Sequence, residues 1–197
     1  MPEADPRTDE ELVEAGNRGD SSALAALYLR HRDWAASLAL RFTRDREEAL
    51  DVMQEAFVYL FGKFPGLVLR ARVTTLLYPA VKNIALARAR KRRAGGRRGV
   101  SGREEHGRAE DGTPVAPGAP GDGGAEDGRS ADLAAAVSSL PDGQREVLLM
   151  RVVDGMGVAE IAVALGIPEG TVKSRLHHAL AALREDPRAR RHFLPEG

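Results

Sequence analysis

Between Glu169 and His178 the chain reads EGTVKSRLHH. At helical spacing Val172, Leu176 and Leu180 fall on one side, which leaves Glu169, Gly170, Thr171, Lys173, Ser174, Arg175, His177 and His178 for the outer and N-terminal faces. These are the hydrogen-bonding groups that a helix lying in the DNA major groove presents. Lys173 and Arg175 suit guanine edges or phosphates, Thr171 and Ser174 suit phosphate, and the free N–H groups of a helix start favour an anion. His177 and His178 fit two roles equally, as partly protonated groups beside DNA or as neutral surface side chains.

Two further clusters have a charge that calls for a partner. From Lys82 to Arg108 the chain carries Lys82, Arg88, Arg90, Lys91, Arg92, Arg93, Arg97, Arg98, Arg103 and Arg108 against only Glu104 and Glu105. Such a density suits a polyanion, although a solvated run beside a linker would look the same. Asp51, Gln54, Glu55 and Val58 share one helical face. By residue type alone this acidic ridge is a solvated face or a docking site.

The elements that must carry these groups are helical. Apolar residues recur at three and four, and no strand alternation or Asn-Gly hairpin signal is found. Asp20 or Ser21 is placed to cap a helix with the stripe Leu24, Leu27, Tyr28, Trp34, Leu38 and Phe42. Asp45 is placed to cap the next, with Leu50, Met53, Phe57, Leu60 and Phe61 toward the core. Phe64-Pro65-Gly66 breaks it, and after a loop a helix with Val81, Ile84, Ala85 and Ala89 runs into the basic cluster. Pro79 predicts that this helix starts near that residue or kinks there, since proline removes a backbone donor and disfavours helix at Tyr78.

Farther on, Leu133, Ala136, Val137 and Leu140 predict a helix broken by Pro141, and Val147, Leu148, Met150, Arg151 and Val152 predict another ended by Asp154-Gly155. Ile161, Ala162 and Leu165 then form a short amphipathic helix. Gly166 supplies a left-handed turn residue, and Pro168 suits the first turn of the helix that carries Val172. A small residue at Ala162, Gly166 and then Val172 is the register of a helix-turn-helix, in which two helices cross closely.

The apolar residues nearly vanish from Gly95 to Ser130, where Gly, Pro, Asp and Glu dominate. Such a segment buries too little surface to offset its ordering entropy. The expectation is an all-α chain of two small helical domains joined by a flexible linker: an N-terminal tail 1–19, a domain 20–94, a linker 95–130, a domain 131–185 and a C-terminal tail 186–197.

Composition narrows the function classes. The 197 residues carry no net charge and no Cys, so neither a disulfide nor a thiolate zinc site is available. No run of about 18 apolar residues is present, so no membrane insertion is expected, and the acidic N-terminus lacks the order of a secretory signal, which predicts a cytoplasmic protein. With no nucleophile–base pair, glycine-rich phosphate loop or metal-ligand spacing in view, no catalytic residue, metal or cofactor is expected.

These residues resemble the extracytoplasmic-function sigma factors, members of the sigma-70 family of bacterial RNA polymerase sigma factors. LPDGQREVLLMRVVDGMGVAEIAVALGIPEGTVKSRLHHALAALR looks like the region 4 helix-turn-helix of that family. DREEALDVMQEAFVYLFGKF is similar to the part of its region 2, a three- or four-helix bundle, that grips the polymerase clamp, and YPAVKNIALARARKRR is similar to the end of that region. The resemblance implies a protein without enzymatic activity that binds core RNA polymerase at its clamp and flap and directs initiation at promoter DNA. An anti-sigma factor is a further expected partner.

Residue by residue, the resemblance assigns Asp51, Gln54 and Glu55 to the clamp. Asn83, with the loop from Phe64 to Arg72, falls to a flipped base of the −10 element, and Arg88, Arg90, Lys91 and Arg92 to the phosphates after it. Gly170, Thr171, Lys173, Ser174, Arg175, His177 and His178 go to the −35 element. The chain departs from the family pattern at Leu76, where Trp is usual, at Pro79, at Ala87, where Asp is usual, and at His177, commonly bulkier or basic; these imply an unusual promoter or subfamily. The alternative from another class is a stand-alone helix-turn-helix regulator whose N-terminal unit binds a ligand or dimerises.

Overall fold

A computed structural model of the chain describes residues 5–96 and 124–193. All regular elements among them are helices: α1 (Asp9–Asn17), α2 (Ser21–Thr43), α3 (Arg46–Phe61), α4 (Val73–Gly96), α5 (Gly124–Ser138), α6 (Asp142–Val152), α7 (Val158–Leu165), α8 (Glu169–Glu185) and α9 (Pro187–Phe193). They fall into two compact units, Met1–Gly112 and Thr113–Gly197.

In the first unit α2, α3 and α4 pack mutually and α1 lies on α2. Asp20 caps α2, accepting from the Ser22 and Ala23 amides, and Asp45 caps α3 through the Glu48 amide at 2.8 Å, as their side-chain chemistry predicts. Arg44, in the left-handed region at φ 58°, ends α2 so that α3 can turn back. Leu27, Leu38, Val52, Met53, Phe57, Leu60, Leu77, Tyr78 and Val81 are buried between the helices. Edge-on ring contacts join α2 to α3 (Tyr28–Phe57, centroids 4.9 Å) and α2 to α4 (Phe42–Tyr78, 6.3 Å). Leu50, expected in the core, is instead exposed, and Ala49, Val52 and Ala56 take the inner face of α3. At about 100° per residue Ala49, Val52 and Ala56 share the buried side with Met53 and Leu60, and Leu50 falls at its margin.

Residues 9–17 fall within the expected tail but fold as α1. Thr8 and Glu11 form a reciprocal capping box, Leu12 and Val13 are buried, and Asp9 pairs with Arg30 at 2.7 Å and with His31 at 2.8 Å on α2. The helix that contains Pro79 begins at Val73, six residues before the proline rather than at it. Val73, Leu77 and Tyr78 are wholly buried, and that burial outweighs the one missing donor.

In the second unit α6 and α7 pack on α8, and α9 packs on α5 and α8. Arg145, 2% exposed, donates to the Ser138 carbonyl and to Asp142, tying the end of α5 to the start of α6. Val137, Leu140, Leu148, Leu149 and Ala179 form its core with Leu133, Leu176 and Leu183 against them. The expected C-terminal tail includes α9, where Ala189 is buried. Helix also enters both ends of the expected linker, α4 running to Gly96 and α5 starting at Gly124. Its middle lies outside the described residues, as do Arg97, Arg98, Arg103 and Arg108.

Candidate nucleic-acid interface

Helices α7 and α8 meet through the turn that the sequence predicts. Gly157 N–H donates to Glu160 Oε2 at 2.6 Å at the start of α7. Gly166 ends that helix at φ 65°, ψ 35°, a conformation that costs other L-residues roughly 1–2 kcal/mol. Pro168 stands at the N-cap of α8, one residue ahead of its first turn. Ile161 and Val172 are fully buried and Ala162 nearly so, where α7 crosses α8.

The buried side of α8 runs through Val172, Leu176, Ala179 and Leu183, while Leu180 is 44% exposed, against expectation. At about 100° per residue, Ala179 continues the line of Val172 and Leu180 falls to its flank. Opposite lie Gly170, Lys173, Ser174, His177 and His178, all exposed, with Thr171 half-buried beside them. Lys173 Nζ stands 3.9 Å from Glu169, and the two histidine rings meet edge to face at 5.6 Å.

Arg175 behaves differently from the other residues predicted to touch DNA. It is half-buried, and a methyl added at Gly143 would lie 3.0 Å from its Cζ and Nη1. Its guanidinium therefore rests on the first turn of α6. The angular position explains this, since Arg175 sits between the buried stripe and the outer face.

In the first unit α3 and α4 carry complementary ladders. Arg88 donates from Nη1 to Asp51 at 2.9 Å and from Nη2 to Glu55, and Arg92 donates to Glu48. The carboxylates of Glu55 and then Asp51 hold the Arg88 pKa above its ordinary value. Arg88 and Arg92, predicted for the −10 phosphates, thus face α3. A groove lined by Glu48, Glu55, Ile84, Ala87, Arg88, Lys91 and Arg92 runs along this seam, so Lys91 flanks it as well. Another face of α4 carries Asn83 and Arg90 at helical spacing, both exposed, and Ala87 stands between it and the groove. Asp51, Gln54, Glu55 and Val58 are also exposed, and Lys63 lies over the Tyr59 ring at 4.3 Å near the same end of α3. The pairing was legible as Glu48, Asp51 and Glu55 opposite Arg88 and Arg92, once α3 and α4 are known to be antiparallel neighbours.

Two family descriptions match the two units: sigma-70 region 2 over residues 27–95 and sigma-70 region 4 over residues 130–183. ECF RNA polymerase sigma factor SigM of Mycobacterium tuberculosis is 32% identical over 179 residues, which cover 90% of this chain and 83% of the relative. The chain is an extracytoplasmic-function sigma factor of the sigma-70 family. A second relative of this sigma factor, ECF RNA polymerase sigma factor SigW of Bacillus subtilis, is 28% identical over 172 residues, 87% of this chain and 92% of that one. In fold the sigma factor is similar to the sigma factor RpoE from Bartonella quintana, solved with the anti-sigma factor NepR, at a TM-score of 0.55 and 20% identity over 80% of this chain and 92% of that one. A sigma factor binds core RNA polymerase and directs promoter-specific initiation through the −10 and −35 elements, and the stand-alone regulator is not favoured. The sigma factor's α1 precedes the region 2 match altogether.

Proposed function

We propose that the sigma factor docks on the polymerase clamp through Asp51, Gln54 and Glu55, with its region 4 unit on the flap. From there it presents Asn83 and the loop 64–72 to the −10 element and α8 to the −35 element. The observation that carries this reading is the outer face of α8: Lys173, Ser174, His177 and His178 stand exposed behind a fully buried Val172 and Ala179. At that face Lys173 serves phosphate or a guanine edge, Thr171 and Ser174 serve phosphate, and the open space at Gly170 admits close approach of the backbone to the duplex. Arg175 acts by holding α8 against α6.

At the other element, Asn83 and Arg90 share the face turned to DNA and Lys91 lies at its margin, while Arg88 and Arg92 brace α4 against α3. Bases of melted DNA are read when extruded from the stack, and a cationic rim guides the strand. Neither unit needs tight binding alone, because one polymerase carries both and raises the effective concentration of the second contact. The protein acts by binding, without catalysis, in the cytoplasm where the polymerase works. An anti-sigma protein that covers the exposed ridge of α3 or the outer face of α8 would silence it.

A mobility-shift assay with and without core enzyme tests the reading. Specific complexes are expected only when core is present, and Asp51→Ala with Glu55→Ala should weaken core assembly. Strong specific binding by the free chain, or unchanged assembly of that double variant, would count against it.

A further inference from the structure

Helix α1 ends in a side chain that grips the loop between α3 and α4. Asn17 Nδ2 donates to the Leu67 carbonyl at 2.9 Å, and its Oδ1 accepts from the Gly66 and Leu67 amides at 2.8 and 3.0 Å. All three bonds go to backbone roughly fifty positions away in sequence. Next to it, Gly16 packs so closely that a Cβ there would lie 2.8 Å from Phe64 Cε1 and from Leu24 Cδ2. Gly66 has φ 111°, so the loop turns sharply at the point that Asn17 holds. Leu67 is buried, whereas Val68 is 69% exposed and Arg70 and Arg72 are exposed before α4 begins at Val73. The loop is thus anchored at its start, and its outward part is the short stretch from Val68 to Arg72.

We infer that Asn17 is a positioning residue for −10 recognition: by fixing Gly66 and Leu67 it sets where residues 68–72 stand relative to Asn83, although it touches no DNA itself. The inference rests on the proposed role of that loop and Asn83. Three bonds from one amide fix both the height and the direction of the loop backbone. An alanine there would leave two amides and one carbonyl to water and let the loop sample several positions. Binding of the −10 element then carries the cost of ordering the loop, which weakens recognition without altering any group that contacts a base. Asn17→Asp keeps the acceptor for both amides but sets a second carboxylate oxygen, not a donor, against the Leu67 carbonyl, so it should restore only part of the effect.

The test uses the full chain with core polymerase on a promoter library randomised separately over the −10 and −35 elements, reading the enrichment of transcribed templates. Asn17→Ala should reduce −10 enrichment roughly tenfold, the size of one net hydrogen bond. The −35 enrichment and the affinity for core should stay at wild-type values, and Asn17→Asp should fall between. Hydrogen exchange at the Gly66 and Leu67 amides should be fast in Asn17→Ala and slow in wild type, which reads the anchor even if that variant is less stable. Unchanged −10 enrichment in Asn17→Ala, or an equal loss at both elements, would overturn the inference. Wild-type chain that shows −35 but no −10 preference would instead overturn the role proposed for the loop.

Discussion

Arg88→Ala separates two roles for one cation. If Arg88 contacts promoter phosphate, its loss lowers the slope of log affinity against log salt by about 0.7 on the melted strand and about 0.9 on duplex. If it braces α4 on α3, its loss lowers the stability of the first unit and leaves that slope alone. The Arg88 side chain is 30% exposed and its partners Asp51 and Glu55 are 60% and 52% exposed, so solvent screens both bonds. Exposed pairs contribute about 0.2–1 kcal/mol each. With two sharing one guanidinium, the loss should be about 1 kcal/mol. For a unit of this size that corresponds to a drop in Tm of roughly 4–8 °C.

The single tryptophan of the chain, Trp34, lies in α2, so its fluorescence follows the first unit separately from the second. The Tm difference should shrink toward zero near 1 M salt, where the Debye length falls to about 3 Å. Arg88→Ala with an unmoved Tm at low salt and a reduced salt slope for holoenzyme on promoter DNA would refute the bracing role.

Lys173→Ala should lower promoter affinity of the holoenzyme and reduce the salt slope by about 0.9, whereas Arg175→Ala should leave the slope unchanged and lower the Tm of the second unit; equal slope changes would mean that Arg175 reaches DNA. Gly166→Ala should destabilise the second unit by roughly 1–2 kcal/mol in denaturant titration because φ 65° is unfavourable for a residue with a Cβ; an unchanged midpoint would place the turn elsewhere. Asp5 is held down to about 2 by Arg7, Asp20 to about 2 by Ser22 and Arg7, and Asp186 to about 2 by Arg188, each from 3.8. A lowered carboxylate stabilises the fold above its unfolded value, so this contribution should be intact above pH 4 and lost as pH falls toward 2. Circular dichroism in acid, with Asp20→Asn showing a smaller loss over that window, checks it.

Local chemistry made much of the fold readable. Asp20 and Asp45 are N-caps because a short carboxylate reaches amides that a helix start leaves open, and that fact needs no knowledge of neighbours. The same is true of Gly166, whose turn only an absent Cβ allows cheaply, and of the exposed row Lys173, Ser174, His177 and His178, whose positions follow from the period of α8. The misjudged positions are those where two helices decide. Leu50 and Leu180 are apolar and lie within a turn of the buried rows, yet each falls to the margin of its helix's inner face, where Ala49 and Ala179 are buried instead. Of the two readings of Pro79, a start or a kink, the start is overturned: its missing donor is a local cost, and Val73, Leu77 and Tyr78 recover that cost only through burial against the other helices of the first unit.

Two helical units, their caps and turns, and the chemical character of each exposed face were readable from residue order alone, since these depend on contacts within a turn or two. Which charges are committed inward depended on how the helices pack. Arg88 and Arg92 became partners of α3, Arg175 settled on Gly143, and Asn17 found a loop fifty residues away. A side chain's charge is written in its type, but the direction in which that charge acts depends on what another helix brings within a few ångströms of it.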